Sequence, residues 1–224
     1  MRAVIFDLDG TLINSSIDIR GMKESLLEYT HRLGFERCNL TPQNTTVEIV
    51  RAVSNYLREN CASDGAVEDV MRELSEIMNV YELKSVDSAS PVEGALETLG
   101  EVKALGLKIG VLTRGCEEYT VRSLEITGML RFVDAIEARC DLNLAKPNPA
   151  SIFNMCSKLD VDPEDVVFVG DHPLDVECAV KANVEMVGIA NAPPKEEGLR
   201  SQGCATVLRS VSELTPLLKE RLKV

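Results

Sequence analysis

At 224 residues the chain is long enough to bury a substantial core and to hold one large domain with a smaller one inserted in it. Its formal charge of −12 argues against general affinity for nucleic acid or acidic membrane surfaces, and any site for an anion must rely on local positive charge. No apolar run approaches the roughly 20 residues of a membrane span, the N-terminus lacks the pattern of a signal peptide, and seven scattered cysteines without a C-x-x-C pair favour neither zinc nor a disulfide framework, which fits a reducing cytoplasm.

The first predicted element is a buried strand, Val4-Ile5-Phe6, that runs into Asp7-Leu8-Asp9-Gly10-Thr11-Leu12. Alternate residues of an extended chain point the same way, so Asp7 and Asp9 face one site at the strand's carboxyl end. Gly10 lets the chain turn away and a ligand approach the backbone. Two carboxylates this close repel unless a cation lies between them or one carries a proton. Taken alone, the pair also describes a strand end with two solvated aspartates.

Residues 14–88 carry three helical patterns and no convincing strand. Met22, Leu26, Tyr29 and Leu33 repeat at helical spacing, with Gly34 as a stop. Ile49, Val50, Val53, Tyr56 and Leu57 form a second stripe, and Val67, Val70, Met71, Leu74, Ile77, Met78 and Tyr81 a third. These stripes predict a small bundle whose apolar faces are its core, with His31 at the surface or in packing. Inserted after the first strand, such a bundle is expected to move as a lid.

Ser90-Pro91-Val92-Glu93 reads as a capping box opening a helix that stops near Gly106. Strand 107–112 ends at Thr113-Arg114-Gly115, and a helix follows over about 117–127, with Gly128 as its stop. Strand 132–138 comes next, and Lys146-Pro147 precedes a helix over about 148–159. Strand 166–169 ends at Gly170-Asp171-His172-Pro173-Leu174-Asp175 and leads into helix 174–182. Strand 184–189, an edge strand at 205–208 and a final helix opened by Ser210-Val211-Ser212-Glu213 complete the chain. This alternation predicts an α/β fold with a parallel sheet covered on both faces. Carboxylates, a hydroxyl and an ammonium then recur where strands end, the edge at which open parallel sheets bind ligands.

Asp7-Leu8-Asp9-Gly10-Thr11-Leu12, Thr113, Lys146 and Gly170-Asp171-x-x-x-Asp175 resemble the four motifs of the haloacid dehalogenase-like (HAD) superfamily. The match runs from Val4 to at least Asp175. The insertion between the first two motifs resembles the helical cap of the phosphoglycolate phosphatase and β-phosphoglucomutase-like branch. The resemblance implies a Rossmann-like core over residues 1–13 and 89–224 with an all-helical cap over 14–88. Asn14 departs from the Asp that many relatives carry before Ser15, which touches cap attachment rather than the nucleophile.

The residue types fit an Mg²⁺-dependent phosphatase acting on a small phosphomonoester. The candidate metal ligands Asp7 and Asp171 are oxygens, with no Cys or His cluster, which favours Mg²⁺ over zinc; the resemblance adds the backbone carbonyl of Asp9 and sets Asp175 close behind, orienting Lys146 or metal-bound water. Asp7 is the expected nucleophile, forming an aspartyl-phosphate. Asp9 is the expected acid and base. Thr113 and Lys146 are expected to bind the phosphoryl group and stabilise its charge. Arg114 is expected to meet a substrate carboxylate or a second phosphate oxygen, or else to pair with Glu117 or Glu118. His172 reads as a loop residue outside the chemistry. Asp9 speaks against a dehalogenase, which needs no acid for an alkoxide. A sugar phosphomutase and a non-enzymatic phospho-Asp switch are the other readings, and a monomer or homodimer is expected, with no nucleic-acid or membrane partner.

Overall fold

A computed structural model describes residues 1–35, 40–60 and 62–223. Cys38 and Cys61 lie outside the described residues; Cys140, Cys156, Cys178 and Cys204 are free thiols. No helix among the described residues is long and apolar enough to cross a membrane. The chain divides into two compact units, one formed by Ser16–Ser85 with Asp141–Asn143, the other by Met1–Ser15, Val86–Cys140 and Leu144–Val224.

The smaller unit holds helices α1 (Ile19–Arg32), α2 (Thr46–Glu59) and α3 (Asp64–Ser85). Its core draws Met22 and Leu26 from α1, Ile49 and Val53 from α2, and Leu74 and Met78 from α3, all buried. Each set repeats at three- or four-residue intervals, so one stripe of each helix leaves water. Thr45 and Glu48 form a reciprocal capping box at the start of α2: the Thr45 backbone N–H donates to the glutamate at 2.6 Å, and the Thr45 hydroxyl accepts from the Glu48 N–H at 3.2 Å. Leu142 joins this core although it belongs to a three-residue segment far along the chain. A segment that short carries no periodicity, which is why the division of the sequence at 14–88 omits it.

The larger unit contains β1 (Ala3–Phe6), β2 (Ile13–Asn14), β3 (Ser90–Pro91), β4 (Lys108–Leu112), β5 (Ala135–Glu137), β6 (Val166–Gly170), β7 (Glu185–Ile189) and β8 (Thr206–Leu208). Its helices are α4 (Ala95–Ala104), α5 (Glu117–Ile126), α6 (Ala150–Leu159), α7 (Pro173–Ala182), α8 (Pro193–Ser201) and α9 (Leu214–Leu222). Six strands form one parallel sheet in the order β5-β4-β1-β6-β7-β8. All four residues of β1 are buried, as a continuous apolar strand must be when helices cover both faces. Phe6 pairs with Val111 on one side and Val169 on the other, so the carboxyl ends of β1, β4 and β6 finish together. The chain turns to opposite sides of β1 in its two halves, and the loops after β1, β4 and β6 part at this switch point.

Three local expectations need correction. Ser90 and Pro91 do not open a helix: they pair antiparallel with Asn14 and Ile13, and the Asn14 side chain donates to the Pro91 carbonyl at 3.3 Å. Helix α4 starts at Ala95 instead, after Gly94 and without a side-chain cap. The predicted strand 132–138 shrinks to β5, because Leu130–Phe132 forms a 3₁₀ turn and the Asp134 carboxylate accepts from the Ile109 backbone N–H at 2.7 Å. Ser210 and Glu213 do not cap reciprocally; the serine accepts from Ser212 at 3.2 Å while the glutamate accepts from Arg209 at 3.0 Å, and a 3₁₀ turn precedes α9. Helix α8, opened by Pro193 and Pro194, was not anticipated, although Pro at the first helical positions is a start signal.

Candidate active site

Asp7 follows β1 directly, and its backbone N–H donates to the Val169 carbonyl at 2.8 Å, which holds it at the carboxyl edge between β1 and β6. The Lys146 ammonium, approaching on the loop before α6, donates to Asp7 Oδ1 and, at 2.8 Å, to Asp175 Oδ1. Asp7 is 7% exposed, Lys146 2% and Asp175 1%, so these charges are out of water. Asp175 lies in the first turn of α7, where its second oxygen accepts from the His172 backbone N–H at 3.0 Å. His172 caps the same helix, its Nδ1 accepting from Leu174 at 3.1 Å. His172 thus supports the helix that carries Asp175.

Asp171 faces the same cluster from the end of β6. Its Oδ1 accepts from the Thr11 hydroxyl at 3.2 Å and its Oδ2 pairs with Lys195 of α8 at 2.6 Å. Gly10 sits against this carboxylate with φ of +85°, and a Cβ there would lie 2.4 Å from Asp171 Oδ2. Only glycine meets both the left-handed backbone and the close approach.

Carboxyl oxygens of Asp7, Asp171 and Asp175 lie within 4.8 Å of one another. Burial pushes the Asp7 pKa well up; Lys146 opposes the shift, while Asp175 and Asp171 add to it. Burial works against the Lys146 charge, but Asp175 and Asp7 outweigh it and move its pKa up. The ammonium therefore stays protonated while the carboxylates remain short of positive charge. Two lysines facing three aspartates leave an excess negative charge, and the donor set is all oxygen. This fits a hard divalent cation held by Asp7 and Asp171, with Asp175 behind on Lys146.

Asp9 is held differently. Its Oδ1 accepts from the Ser15 hydroxyl at 2.6 Å and from the Tyr119 hydroxyl at 2.5 Å. Burial, then the Asp9 charge and hydrogen bond, push the Tyr119 pKa well up, so the phenol remains a donor. Thr113, just past β4, is buried and its Oγ1 accepts from the Gly115 N–H at 3.0 Å, while its backbone N–H donates to the Glu137 carbonyl at 3.0 Å. Arg114 donates to the Lys146 carbonyl, and Arg139 in turn donates to the Arg114 carbonyl. The Arg114 guanidinium thus spans the Thr113 and Lys146 loops, a role the sequence did not suggest. Glu118, one of the partners considered for it, pairs with Arg122 at 3.3 Å.

The structure brings Asp7, Lys146, Asp171 and Asp175 into one charged cluster, with Asp9 and Thr113 on the adjoining loops. Sequence reasoning missed Tyr119, Lys195 and Arg139. The proline start of α8 could have found the helix that carries Lys195; Tyr119 left no signal beyond a polar atom on an otherwise packed helix.

A family model described as haloacid dehalogenase-like hydrolase matches residues 4–189. The chain is 27% identical over 195 residues to the validoxylamine A 7′-phosphate phosphatase of Streptomyces hygroscopicus subsp. limoneus, covering 87% of this chain and 88% of that protein. It is 29% identical over 188 residues to the phosphoglycolate phosphatase of Aquifex aeolicus, covering 83% of each. Among solved structures, a hydrolase from Pseudomonas syringae superposes with a TM-score of 0.64 at 19% identity, covering 98% of this chain and 99% of that one, a likeness of fold alone.

Proposed function

The chain belongs to the haloacid dehalogenase-like hydrolase family, and from that premise we propose that it is a magnesium-dependent phosphatase that hydrolyses a small phosphomonoester through an aspartyl-phosphate on Asp7. The observation that carries this reading is the buried Lys146 bonded to both Asp7 and Asp175 beside Asp171, an arrangement costly to fold unless it is used.

Asp7 and Asp171, with the Asp9 carbonyl, would hold the cation, which when bound supplies positive charge against the anionic ester and the crowded carboxylates. Asp7 attacks phosphorus, forming the acyl-phosphate bond as the bond to the leaving oxygen breaks. Asp9 gives its proton to that oxygen. Thr113 Oγ1 and the Lys146 ammonium bear on the transferring phosphoryl oxygens, where charge is spread in the transition state. Asp9 then takes a proton from the water that attacks phosphorus, releasing phosphate and restoring Asp7. Asp175 keeps Lys146 aimed, and Arg114 ties the Lys146 loop to the Thr113 loop.

Residues 14–88 serve in this reading as a helical cap domain inserted into the 1–13 and 89–224 core domain. The two phosphatases named above act on different phosphate esters at nearly equal identity to this chain, which supports leaving the ester class broad. The test is phosphate release from p-nitrophenyl phosphate and a panel of alkyl phosphates. Turnover is expected with Mg²⁺, lost with chelator, and reduced to background in Asp7→Asn. Normal turnover by that variant, or isomerisation of a sugar phosphate without net phosphate release, overturns the proposal.

A further inference from the structure

Tyr119 is the largest side chain in the larger unit with a polar atom on the reaction's candidate residues and no assigned part in the chemistry. It is fully buried, three residues into α5, and its hydroxyl ends 2.5 Å from Asp9 Oδ1 across 110 residues of sequence. The Ser15 hydroxyl reaches the same oxygen at 2.6 Å. Two donors converging on one carboxylate oxygen fix the rotation of the carboxyl group, and with it the direction of its other oxygen.

The backbone makes room for this contact. A Cβ on Gly115 would lie 2.7 Å from the Tyr119 ring, so only glycine there admits the ring beneath the loop that carries Thr113. Packing alone would be satisfied by phenylalanine. The hydroxyl has to be accommodated in a fully buried place, where an unpartnered one would cost free energy, and it is spent on Asp9.

We infer that Tyr119 is a positioning residue for proton transfer: with Ser15, it aims the Asp9 carboxyl at the leaving-group oxygen and then at the attacking water. The inference rests on the phosphatase reading above. Proton transfer requires heavy atoms within about 2.6–3.2 Å, and a displacement of about 1 Å can cost on the order of 10²-fold in rate. Tyr119→Phe keeps the ring and removes the hydroxyl that bonds Asp9. It leaves Asp7, Lys146 and the carboxylate cluster untouched, so phosphate binding is expected to persist.

The experiment compares kcat/KM on an alkyl phosphate and on p-nitrophenyl phosphate, because kcat/KM reports the steps up to departure of the leaving group and the activated ester needs little proton assistance. Tyr119→Phe is expected to lower kcat/KM on the alkyl ester about ten- to one-hundred-fold, the factor for a charge-assisted hydrogen bond, and on the activated ester much less. The inhibition constant for inorganic phosphate should stay within about twofold. Ser15→Ala, which removes the other donor to the same oxygen from outside α5, is expected to fall in the same direction. In an Asp9→Asn background, Tyr119→Phe should have little further effect, since both changes remove one function. An equal loss on both esters, or a full loss in the Asp9→Asn background, makes Tyr119 structural and overturns the inference. If Asp9→Asn itself affects both esters equally, the acid–base reading of Asp9 fails instead.

Discussion

The helical unit and the carboxyl edge of the sheet are stabilised by opposite means. In the helical unit, apolar stripes from α1, α2 and α3 meet, and burying each Leu, Ile or Met contributes about 1.5–3 kcal/mol. At the sheet edge, an ammonium and two carboxylates are almost completely enclosed, and each buried ion costs several kcal/mol before its partners compensate. Well-packed apolar residues of similar volume would serve stability as well or better. The first region is explained by folding; the second is explained only by what it does. Substitutions should therefore change stability alone in the one, and both stability and turnover in the other.

The strongest way to break that contrast is Lys146→Met. Removing the cation leaves Asp7 and Asp175 facing each other unpaired, so the metal-free protein should lose about 3–5 kcal/mol in urea denaturation and all measurable turnover. Mg²⁺ should recover part of the stability and none of the activity. If the variant is as stable as the parent, the cluster is not held together by this ammonium.

Leu74→Ala sharpens the comparison from the other side. Leu74 is fully buried in the helical core, and its truncation should cost about 2–5 kcal/mol. No Mg²⁺-dependent rescue beyond that of the parent is expected, because the lost contacts are apolar. A chelator-sensitive stability loss in this variant would show that the two regions are not distinct in this way.

A smaller effect separates them by pH. Burial, with Asp175 and Asp171, raises the Asp7 pKa above its ordinary 3.8 against the pull of Lys146. Between that value and the raised one, the folded protein keeps a proton that the unfolded chain has lost. Stability of the metal-free protein should therefore fall as pH rises through this interval, by at most about 1.4 kcal/mol per pH unit, and be unaffected by this group below it. Asp7→Asn should flatten the slope, and Mg²⁺ should reduce it by favouring the ionised form. Thermal unfolding across pH, with and without chelator, reads this; a slope unchanged in Asp7→Asn assigns it to other groups.

The same contrast governs what could be read from sequence. Stripes such as Ile49-Val53-Leu57 announce a buried helix face because the signal is local and periodic. Motif spacing singles out Asp7, Lys146, Asp171 and Asp175, since short strands deliver residues to the same edge of a parallel sheet. Strand order is not local, and alternation alone gives a parallel sheet without its sequence of neighbours. Ser90-Pro91-Val92-Glu93 misleads because side-chain capping and strand pairing compete for the same residues, and pairing with Ile13 and Asn14 wins. Tyr119 and Lys195 escape because each is defined by a partner elsewhere, Asp9 for the first and Asp171 for the second. From its place after Thr113 Arg114 reads as facing substrate or the next helix, whereas its bond to the Lys146 carbonyl depends on two loops meeting.

The central claim is that Asp7 becomes covalently phosphorylated and that Asp9 lets the adduct break down. Acid-quenched peptide mass spectrometry during turnover of p-nitrophenyl phosphate with Mg²⁺ tests it directly, in the parent and in Asp9→Asn. The account predicts a phosphoryl increment on the peptide carrying Asp7, at low occupancy in the parent and accumulating in Asp9→Asn, and absent in Asp7→Asn. Turnover with no adduct in either protein, or an adduct on another residue, would contradict it.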